Sequence, residues 1–280
     1  MRKLLLLTFV FTSFLCEAQQ KIAVVEWDKT IGGSGNDNMY CISQALDGGY
    51  ILGGLSNSNI SGEKSDNNHG GIDYWIVKLN IQGVIEWQKT IGGSGNDSLK
   101  YIQQTSDGGY ILGGYSNSNI SGDKTENSRG NDDFWIVKIN SIGTIEWQKT
   151  IGGNADDELN IVQQTEDGGY ILGGMSRSSI SGEKTENSRG VQDFWVVKIN
   201  SIGSIEWQKT MGGSATDVLT GIEQTPDKGY ILAGYSGSGI SGDKTTNTKG
   251  SFDYWVIKIN KLGVIQWQKS IGGSNSDYLM

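Results

Sequence analysis

Residues 99–151 read LKYIQQTSDGGYILGGYSNSNISGDKTENSRGNDDFWIVKINSIGTIEWQKTI, and the chain after residue 20 repeats this stretch about four and a half times. The period is sixty residues, and two series of tryptophans mark it: Trp27, Trp87, Trp147, Trp207 and Trp267, and Trp75, Trp135, Trp195 and Trp255. A repeat of this length is one supersecondary unit that cannot bury its apolar faces alone. Because neighbouring units must then pack on each other, this stretch decides the fold.

Each unit predicts four antiparallel strands, joined by two tight turns and one long polar loop. Ser106-Asp107-Gly108-Gly109 lies between two apolar runs, and Asp-Gly in that position favours a hairpin turn with positive φ. The third strand begins apolar on both faces, so we expect it to be covered on both sides. The fourth strand alternates, with a polar outward face. In the quoted unit the expected strands are Leu99–Thr105, Tyr110–Ser116, Phe134–Ile139 and Thr144–Ile151.

Units of four strands at this period predict an all-β chain, built as a β-propeller-like array of four-stranded antiparallel blades. Four full blades are expected at residues 38–93, 98–153, 158–213 and 218–273, followed by a partial unit at 274–280. Lys21 to Gly33 is predicted to be an additional outer strand before the first blade. Since four blades rarely close a ring, we expect an incomplete ring with an uncovered blade face, and further blades from a longer chain.

Three short motifs resemble known propeller repeats. Tyr110-Ile111-Leu112-Gly113-Gly114, with the later Phe134-Trp135 and Trp147, resembles the kelch pattern. Lys138-Ile139-Asn140, with Gly143 and Trp147, is similar to quinoprotein-type blade repeats, and Thr105 to Gly109 is similar to part of an Asp-box hairpin. As a whole the chain resembles secreted repeat proteins of the Bacteroidetes type. The resemblance implies a propeller-like protein outside the cell, and each motif covers only part of the unit.

The first eighteen residues predict a secretory signal peptide, because a positive start, an apolar core and a small residue at the cleavage site follow one another. Residues 19–280 then form the repeat domain, and the expected location is secreted or at the cell surface. Lipid attachment at Cys16 is the alternative, which the bulky Leu15 disfavours. Cys41 would be the only cysteine after cleavage, so no internal disulfide is expected.

Composition argues against several classes of function. A formal charge of −8 and a pI near 4.8 argue against nucleic-acid binding, which needs a basic patch. No run of eighteen apolar residues follows the N-terminal segment, so no membrane span is expected. His69 is the only histidine, which excludes a multi-histidine metal site and disfavours a nucleophile–histidine pair.

Repeated acids supply the candidate site. In a propeller of this strand order the blade connectors and the long loops share one face, so the acids of both are expected to gather there. The candidate metal ligands are Asp97, Asp133, Asp157 and Asp193, with calcium as the possible cofactor, because a hard cation takes several oxygen ligands. The structural alternative is that each aspartate caps its own turn and that the loop lysines, Lys64, Lys124, Lys184 and Lys244, pair with neighbouring acids.

An active site would need residues that one blade has and its siblings lack, and the visible departures assemble no reaction. They are Cys41, His69, Ala155, Arg177, Lys228 and Ala233. The tryptophans could stack on sugars or a quinone, but their apolar neighbours favour packing between blades. The sequence therefore predicts a secreted or cell-surface, non-catalytic binding or scaffold module for a glycan or protein ligand. The alternative is an enzyme, either a quinoprotein-type dehydrogenase or a polysaccharide-active hydrolase.

Overall fold

The computed structural model describes residues 25–279, and its strands confirm an all-β chain. Sixteen strands form four antiparallel sheets, which we name blades 1 to 4, and in each blade the strands lie in chain order. The strands are β1 Asp37–Gln44, β2 Tyr50–Ser56, β3 Asp73–Leu79, β4 Ile85–Ile91, β5 Asp97–Gln104, β6 Tyr110–Ser116, β7 Asp133–Ile139, β8 Ile145–Ile151, β9 Asp157–Gln164, β10 Tyr170–Ser176, β11 Asp193–Ile199, β12 Ile205–Met211, β13 Asp217–Gln224, β14 Tyr230–Ser236, β15 Asp253–Ile259 and β16 Ile265–Ile271. Within the described residues no helix is long and apolar enough to cross a membrane.

The first and third strands of each blade begin earlier than the sequence predicts. In blade 2 they start at Asp97 and Asp133 because both aspartates pair with Ser116, one on each side of the second strand. The candidate acids are therefore parts of the sheet, where their backbones have fixed neighbours. They are not free loop residues.

The predicted Asp-Gly hairpins form, and a lysine beneath each turn reinforces them. Gly108 has a φ of 83°, and Gly109 N donates to Asp107 Oδ1 over 2.9 Å. Lys138, only 3% exposed, lies 2.9 Å from Asp107 Oδ2 and 2.8 Å from Glu146 Oε2. The turn is thus tied to the fourth strand by a three-residue ionic contact that alternation alone does not predict.

Every first strand contains a β-bulge at the same position. In blade 2, Leu99 pairs with Gly114 and Tyr101 pairs with Gly113, which leaves Lys100 without a partner. A bulge bends its strand and re-aims the extra side chain. The bulged residues are Tyr40, Lys100, Asn160 and Thr220.

Neighbouring blades pack face to face, and their first strands touch one another along the inner side of the array. We name the face that meets the preceding blade the leading face, and the opposite one the trailing face. Between blades 2 and 3, the trailing residues Ile111, Phe134, Ile136 and Ile151 pack on the leading residues Leu159, Val162, Leu172, Trp195 and Val197. The other two junctions repeat this arrangement. Each buried large apolar side chain contributes about 2–3 kcal/mol, so the junctions carry much of the stability.

The two tryptophan series have different places in these junctions. Trp135 is fully buried, with its ring 4.8 Å from that of Tyr74 in the preceding blade. Trp87 is half-buried and packs edge-on against Tyr110 of the following blade at 6.0 Å. At the three internal junctions members of both series pack the blades together, as their apolar neighbours predicted.

The array is open, with two uncovered faces in the part of the chain that the structure describes. Ile42 on the leading face of blade 1 is 57% exposed, whereas its equivalent Ile102 is 2% exposed. Ile271 on the trailing face of blade 4 is 47% exposed, whereas its equivalent Ile91 is 2% exposed. The expected uncovered blade face is therefore present, at both ends.

The outer strand predicted at Lys21 to Gly33 is not formed by residues 25–33, which hold no strand. Trp27 instead packs edge-on against Tyr50 at 5.8 Å, and its Nε1 donates to Ile81 O over 3.2 Å. The reason is that its partner would be the third strand of a blade preceding blade 1, and residues 25–279 supply no such strand, so this segment contacts the leading face unpaired. Residues 21–24 and the predicted signal peptide, residues 1–18, lie outside the described residues.

Candidate functional site

The blade connectors lie against the long loops, as predicted. Ser94 N donates to Ser121 Oγ over 2.8 Å. Gly95 N donates to Ser118 Oγ over 2.9 Å, and Ser118 Oγ donates in turn to Asp97 Oδ2 over 3.0 Å. The connector aspartate is therefore the base of a hydrogen-bond ladder that holds its connector in place.

The four candidate calcium ligands do not meet at one site. They are divided among the three blade junctions, where the first residue of a third strand lies beside the first residue of the next blade. Asp133 and Asp157 are such a pair, since Asp157 N donates to Asp132 O over 2.6 Å. The corresponding backbone contacts place Asp97 beside Asp73, and Asp193 beside Asp217.

In each pair, both aspartates have one carboxylate oxygen that accepts hydrogen bonds and one that has no hydrogen-bond partner. Asp157 Oδ2 accepts from Gly153 N over 2.6 Å and from Ser178 Oγ over 2.8 Å, while Asp133 Oδ2 accepts from Arg129 N. Both Oδ1 atoms are buried without a hydrogen-bond partner. Burial, together with the charge of Asp157, raises the pKa of Asp133 to about 6, although the backbone hydrogen bond from Arg129 opposes the shift. These junctions therefore favour a bound proton or a bound cation.

The loop lysines are buried between the acids. The expected direct ion pairs are not formed by Lys64, Lys124, Lys184 and Lys244, which are 1–2% exposed. Lys124 Nζ lies 5.7 Å from the ring centroid of Trp135 and 3.2 Å from Ser128 Oγ. Burial lowers the pKa of Lys124 to about 8, while the charges of Asp97 and Asp133 raise it. A buried cation between two acids in every blade is a structural device of the repeat.

These junctions offer few side-chain ligands for a metal ion. Each junction offers two carboxylate oxygens that lack partners, whereas calcium takes six to eight oxygen ligands. Among residues 25–279 no group of three or more histidine, cysteine, aspartate or glutamate side chains is arranged to hold a metal. Any cation here would need backbone carbonyls and water for most of its ligands.

The lone histidine tethers two blades. His69 Nε2 lies 3.6 Å from Asp123 Oδ2 in the following blade. In the next two units an arginine takes this place, with Arg129 Nε 2.6 Å from Glu183 Oε2 and Arg189 Nη1 3.2 Å from Asp243 Oδ2. His69 therefore has the position of a structural residue.

A different set of residues breaks the symmetry of the array, and the bulges bring them together. At several positions of the inner face all four blades, or nearly all, carry different side chains. These positions hold Tyr40, Lys100, Asn160 and Thr220; Asn38, Ser98, Glu158 and Val218; Leu55, Tyr115, Met175 and Tyr235; and Ile72, Asp132, Gln192 and Phe252. Members of all four sets line one cavity of about 480 Å³, which we name the axial pocket.

Charged and aromatic groups face each other in the axial pocket. Lys100 Nζ lies 4.4 Å from the ring centroid of Tyr40 and 5.3 Å from that of Tyr115. Burial lowers the pKa of Lys100, and the charge of Glu158 opposes that shift. Burial raises the pKa of Glu158, as does Asp132, while Lys100 and Arg177 lower it. The pocket thus holds an acid and two bases at partial burial, beside aromatic rings.

Hydrogen bonds fix the orientation of two polar side chains of the axial pocket, Arg177 and Asn160. Arg177 Nη1 donates to Asp156 Oδ2 over 2.8 Å, and its Nε donates to Gln192 Oε1 over 3.1 Å. Asn160 Nδ2 donates to Leu219 O over 2.9 Å. A guanidinium held in this way keeps free donors on one side, so the pocket can bind oxygen-rich groups.

Sequence reasoning noted Arg177 as a departure but missed Lys100, Glu158 and Tyr115. A comparison of equivalent positions in the four units could have identified these residues, because their positions vary within an otherwise constant repeat. Their convergence follows from the bulge and the curvature of the array, which the repeat does not reveal.

Comparisons with known proteins identify no family. No protein-family model matches the chain, including the kelch and quinoprotein patterns that its motifs resemble. No curated protein matches its sequence. Among solved structures, a protein of unknown function from Bacteroides caccae is 9% identical, with a TM-score of 0.32 over 84% of this chain and 82% of that one. Two variants of an apocarotenoid oxygenase from Synechocystis are 13% identical, with a TM-score of 0.40 over 82% of this chain and 49% of theirs. This chain therefore spans about half of that enzyme, and similarities of this size transfer no activity.

Proposed function

We propose that this chain is a secreted or cell-surface binding module without catalytic activity, and that its ligand is a glycan bound in the axial pocket. The observation that supports this proposal is the distribution of differences among the repeats. The residues that pack the blades are nearly constant, whereas those that line the axial pocket vary from blade to blade. Binding sites break a symmetry that packing maintains.

The chemistry of the axial pocket suits a hydroxyl-rich ligand. Glu158 accepts hydrogen bonds, and Lys100 and Arg177 donate them, which matches the mixed donor and acceptor character of sugar hydroxyls. Tyr40 and Tyr235, which line the pocket, offer apolar faces for the C–H side of a sugar ring while their hydroxyls remain polar. A concave site with a few convergent polar groups and aromatic walls is typical of small-ligand pockets.

Glycan arrays followed by calorimetry test this proposal. We expect Lys100→Ala and Glu158→Gln each to weaken binding about tenfold or more, since hydrogen bonds to charged groups contribute about 1.5–3 kcal/mol. Glu166→Gln is the matched control, because this exposed glutamate lies at the hairpin end of blade 3. Equal affinity in all four proteins contradicts a site in the axial pocket, and release of shortened sugar products contradicts a non-catalytic role.

Calcium is a second component of the proposal. The buried, unpartnered Oδ1 atoms of Asp97, Asp133, Asp157 and Asp193 support it, because such oxygens favour a cation or a proton. Calcium at the junctions would stabilise the array on which the axial pocket is built, and would stay apart from the glycan.

Export is also part of the proposal, and residues 1–18 support it by their charge and apolar pattern. Mass spectrometry of the mature chain recovered outside the cytoplasm is expected to show an N-terminus at residue 19. An intact N-terminus on a cytoplasmic protein contradicts export.

A further inference from the structure

The two uncovered ends of the array carry the two halves of a blade junction. The trailing face of blade 4 presents Ile231, Tyr254, Val256 and Ile271, at the positions where blade 1 has Ile51, Tyr74, Ile76 and Ile91. The leading face of blade 1 presents Met39, Ile42, Leu52 and Trp75, at the positions where blade 2 has Leu99, Ile102, Leu112 and Trp135. Because blades 1 and 2 pack through these positions, the two ends are complementary to each other.

A polar contact of the first junction can also be repeated between the ends. Tyr74 Oη on the trailing face of blade 1 donates to Trp135 O of blade 2 over 3.0 Å. Blades 2 and 3 have phenylalanine at this position, and blade 4 again has a tyrosine, Tyr254, which is only half-buried. Its hydroxyl matches the backbone oxygen of Trp75 on an incoming leading face.

The glycine–leucine contact of the internal junctions is replaced at the two ends by a different pair of residues that also fits. At each internal junction a glycine of the trailing face touches a leucine of the next leading face. A methyl group at Gly53 would lie 2.8 Å from Leu99 Cδ2, and one at Gly173 would lie 2.6 Å from Leu219 Cδ2. Both distances are too short for real carbon atoms, so a methyl group there would force the leucine side chain to move, and at Gly173 the side chain of Ile222 as well.

Blade 4 has Ala233 in place of that glycine, and blade 1 has Met39 in place of that leucine. Methionine lacks the second Cδ branch that would meet the added methyl group, and its unbranched chain adapts to irregular gaps. The neighbouring Ile42 is exposed and can change rotamer. The larger residue on one end is thus matched by the more adaptable residue on the other.

We propose that the trailing face of blade 4 docks on the leading face of blade 1 of a second copy of this chain. Two such junctions related by a twofold axis join the four blades of each copy into a closed ring of eight. That number is within the four to eight blades that propellers use. Closure would also convert the open inner face, with its axial pocket, into the wall of a central channel.

In this assembly the end segments are displaced. Each new junction has room either for a segment of one copy or for the equivalent segment of the other copy, but not for both. Trp27 contacts Tyr50 in the way that Trp87 contacts Tyr110, so it occupies the place of Trp267 from the second copy. Residues 25–33 have no strand pairing, whereas β16 is fully paired with β15. Residues 274–279 are likewise unpaired and overlap the place of β1. The unpaired segments are therefore the ones displaced.

Sedimentation velocity of the purified chain tests the docking, and we expect a dimer. Met39→Lys alters only the leading face and Val256→Lys only the trailing face, so each variant alone is expected to be monomeric. An equimolar mixture of the two retains one intact junction and is expected to form a heterodimer. Ile142→Lys, on an exposed hairpin of blade 2, is the control and should remain dimeric.

Complementary substitutions test the Ala233–Met39 contact itself. Met39→Leu is expected to weaken association about tenfold, because it restores the branch that meets Ala233, and Met39→Leu with Ala233→Gly should recover it. A cooperative melt checks that each variant is folded. A monomeric wild-type chain, as expected if other repeats or a segment of a longer chain cover these faces, overturns the proposal. A dimer that persists in both lysine variants overturns it too.

Discussion

At the scale of single residues, each blade buries a lysine between two aspartates, and the six aspartates that lie at the blade junctions each have one oxygen without a hydrogen bond. Lys124 is 1% exposed, and Asp97 and Asp133 are fully buried. Removing one member of a buried charged group leaves the others uncompensated, which costs more than the group contributes when intact. The lysine therefore acts to neutralise the acids that the sheet geometry forces into the junctions.

We expect Lys124→Met to reduce the free energy of unfolding by about 3–5 kcal/mol, since it leaves Asp97 and Asp133 buried without a cation. Denaturant unfolding measures the loss. Adding Asp133→Asn should recover part of it, as the two positions are coupled. Lys149→Met, at a half-exposed ion pair with Glu126, is the control and should cost less than about 1 kcal/mol. Equal losses at positions 124 and 149 would contradict this account.

The aspartates also predict a pH dependence. Burial raises the pKa of Asp73, Asp133 and Asp193 to about 6, above the ordinary value of 3.8. The folded chain then holds protons that the unfolded chain has released, so this stabilisation is complete below about pH 4 and is lost as the pH rises through 6. In chelator, Asp133→Asn should remove about 3 kcal/mol of the loss in unfolding free energy as the pH rises from below 4 to above 6, because a rise in pKa from 3.8 to about 6 is worth about 1.36 kcal/mol per unit. An unchanged slope argues against a raised pKa at Asp133.

At the scale of the strand and hairpin, the turn between first and second strands is part of an ionic cluster. Hydrogen bonds from Thr105 and Lys138 lower the pKa of Asp107 to about 2, although burial alone would raise it. Blade 4 differs, because Gln266 replaces the glutamate and leaves Asp227 as the acid that contacts Lys258. The same turn thus has two acids in one blade and one acid in another.

This difference predicts unequal effects of one substitution. Asp107→Ala should cost about 1 kcal/mol, because Lys138 keeps Glu146 as its partner. Asp227→Ala should cost more, since it leaves the buried Lys258 without an acid. Thermal melts of the two variants provide the comparison. Gln266→Glu combined with Asp227→Ala should restore the smaller loss, and equal losses in the two single variants would contradict the cluster.

At the scale of the whole molecule, stability comes from three equivalent blade junctions, as in other repeat proteins. Each junction holds one carboxyl pair, so a cation bound there would stabilise the array at several places at once. The open ends and the axial pocket belong to the same scale, because both depend on how the blades are stacked.

Thermal melts with excess calcium and with chelator test the proposed cofactor. We expect calcium to raise the midpoint, since a ligand at a hundred times its dissociation constant adds about 2.7 kcal/mol when it binds only the folded state. The double substitution Asp133→Asn and Asp157→Asn should reduce the shift in melting midpoint, because it removes the carboxylate pair of one of the three junctions. A shift that is absent, or that magnesium and sodium chloride reproduce, leaves these pairs as proton-binding groups.

The sequence by itself determined the local architecture. The sixty-residue period, the Asp-Gly turns near Asp107 and the apolar third strand predicted four strands per unit and four blades, because alternation and turn chemistry act within a few residues of one another. The same locality explains the error at residues 25–33 of the predicted strand Lys21 to Gly33, whose pattern matches an outer strand but which has no third strand of a preceding blade to pair with among the described residues.

Only the tertiary structure decided which residues meet. Asp133 faces Asp157, Lys124 lies over Trp135, and Glu158 shares a pocket with Lys100, through contacts that depend on the bulge and on the stacking of blades. Burial and charge at these places are set by neighbours up to about sixty residues away in the chain. A repeat shows that such neighbours exist, and the packing of one blade on the next decides which side chains they present to each other.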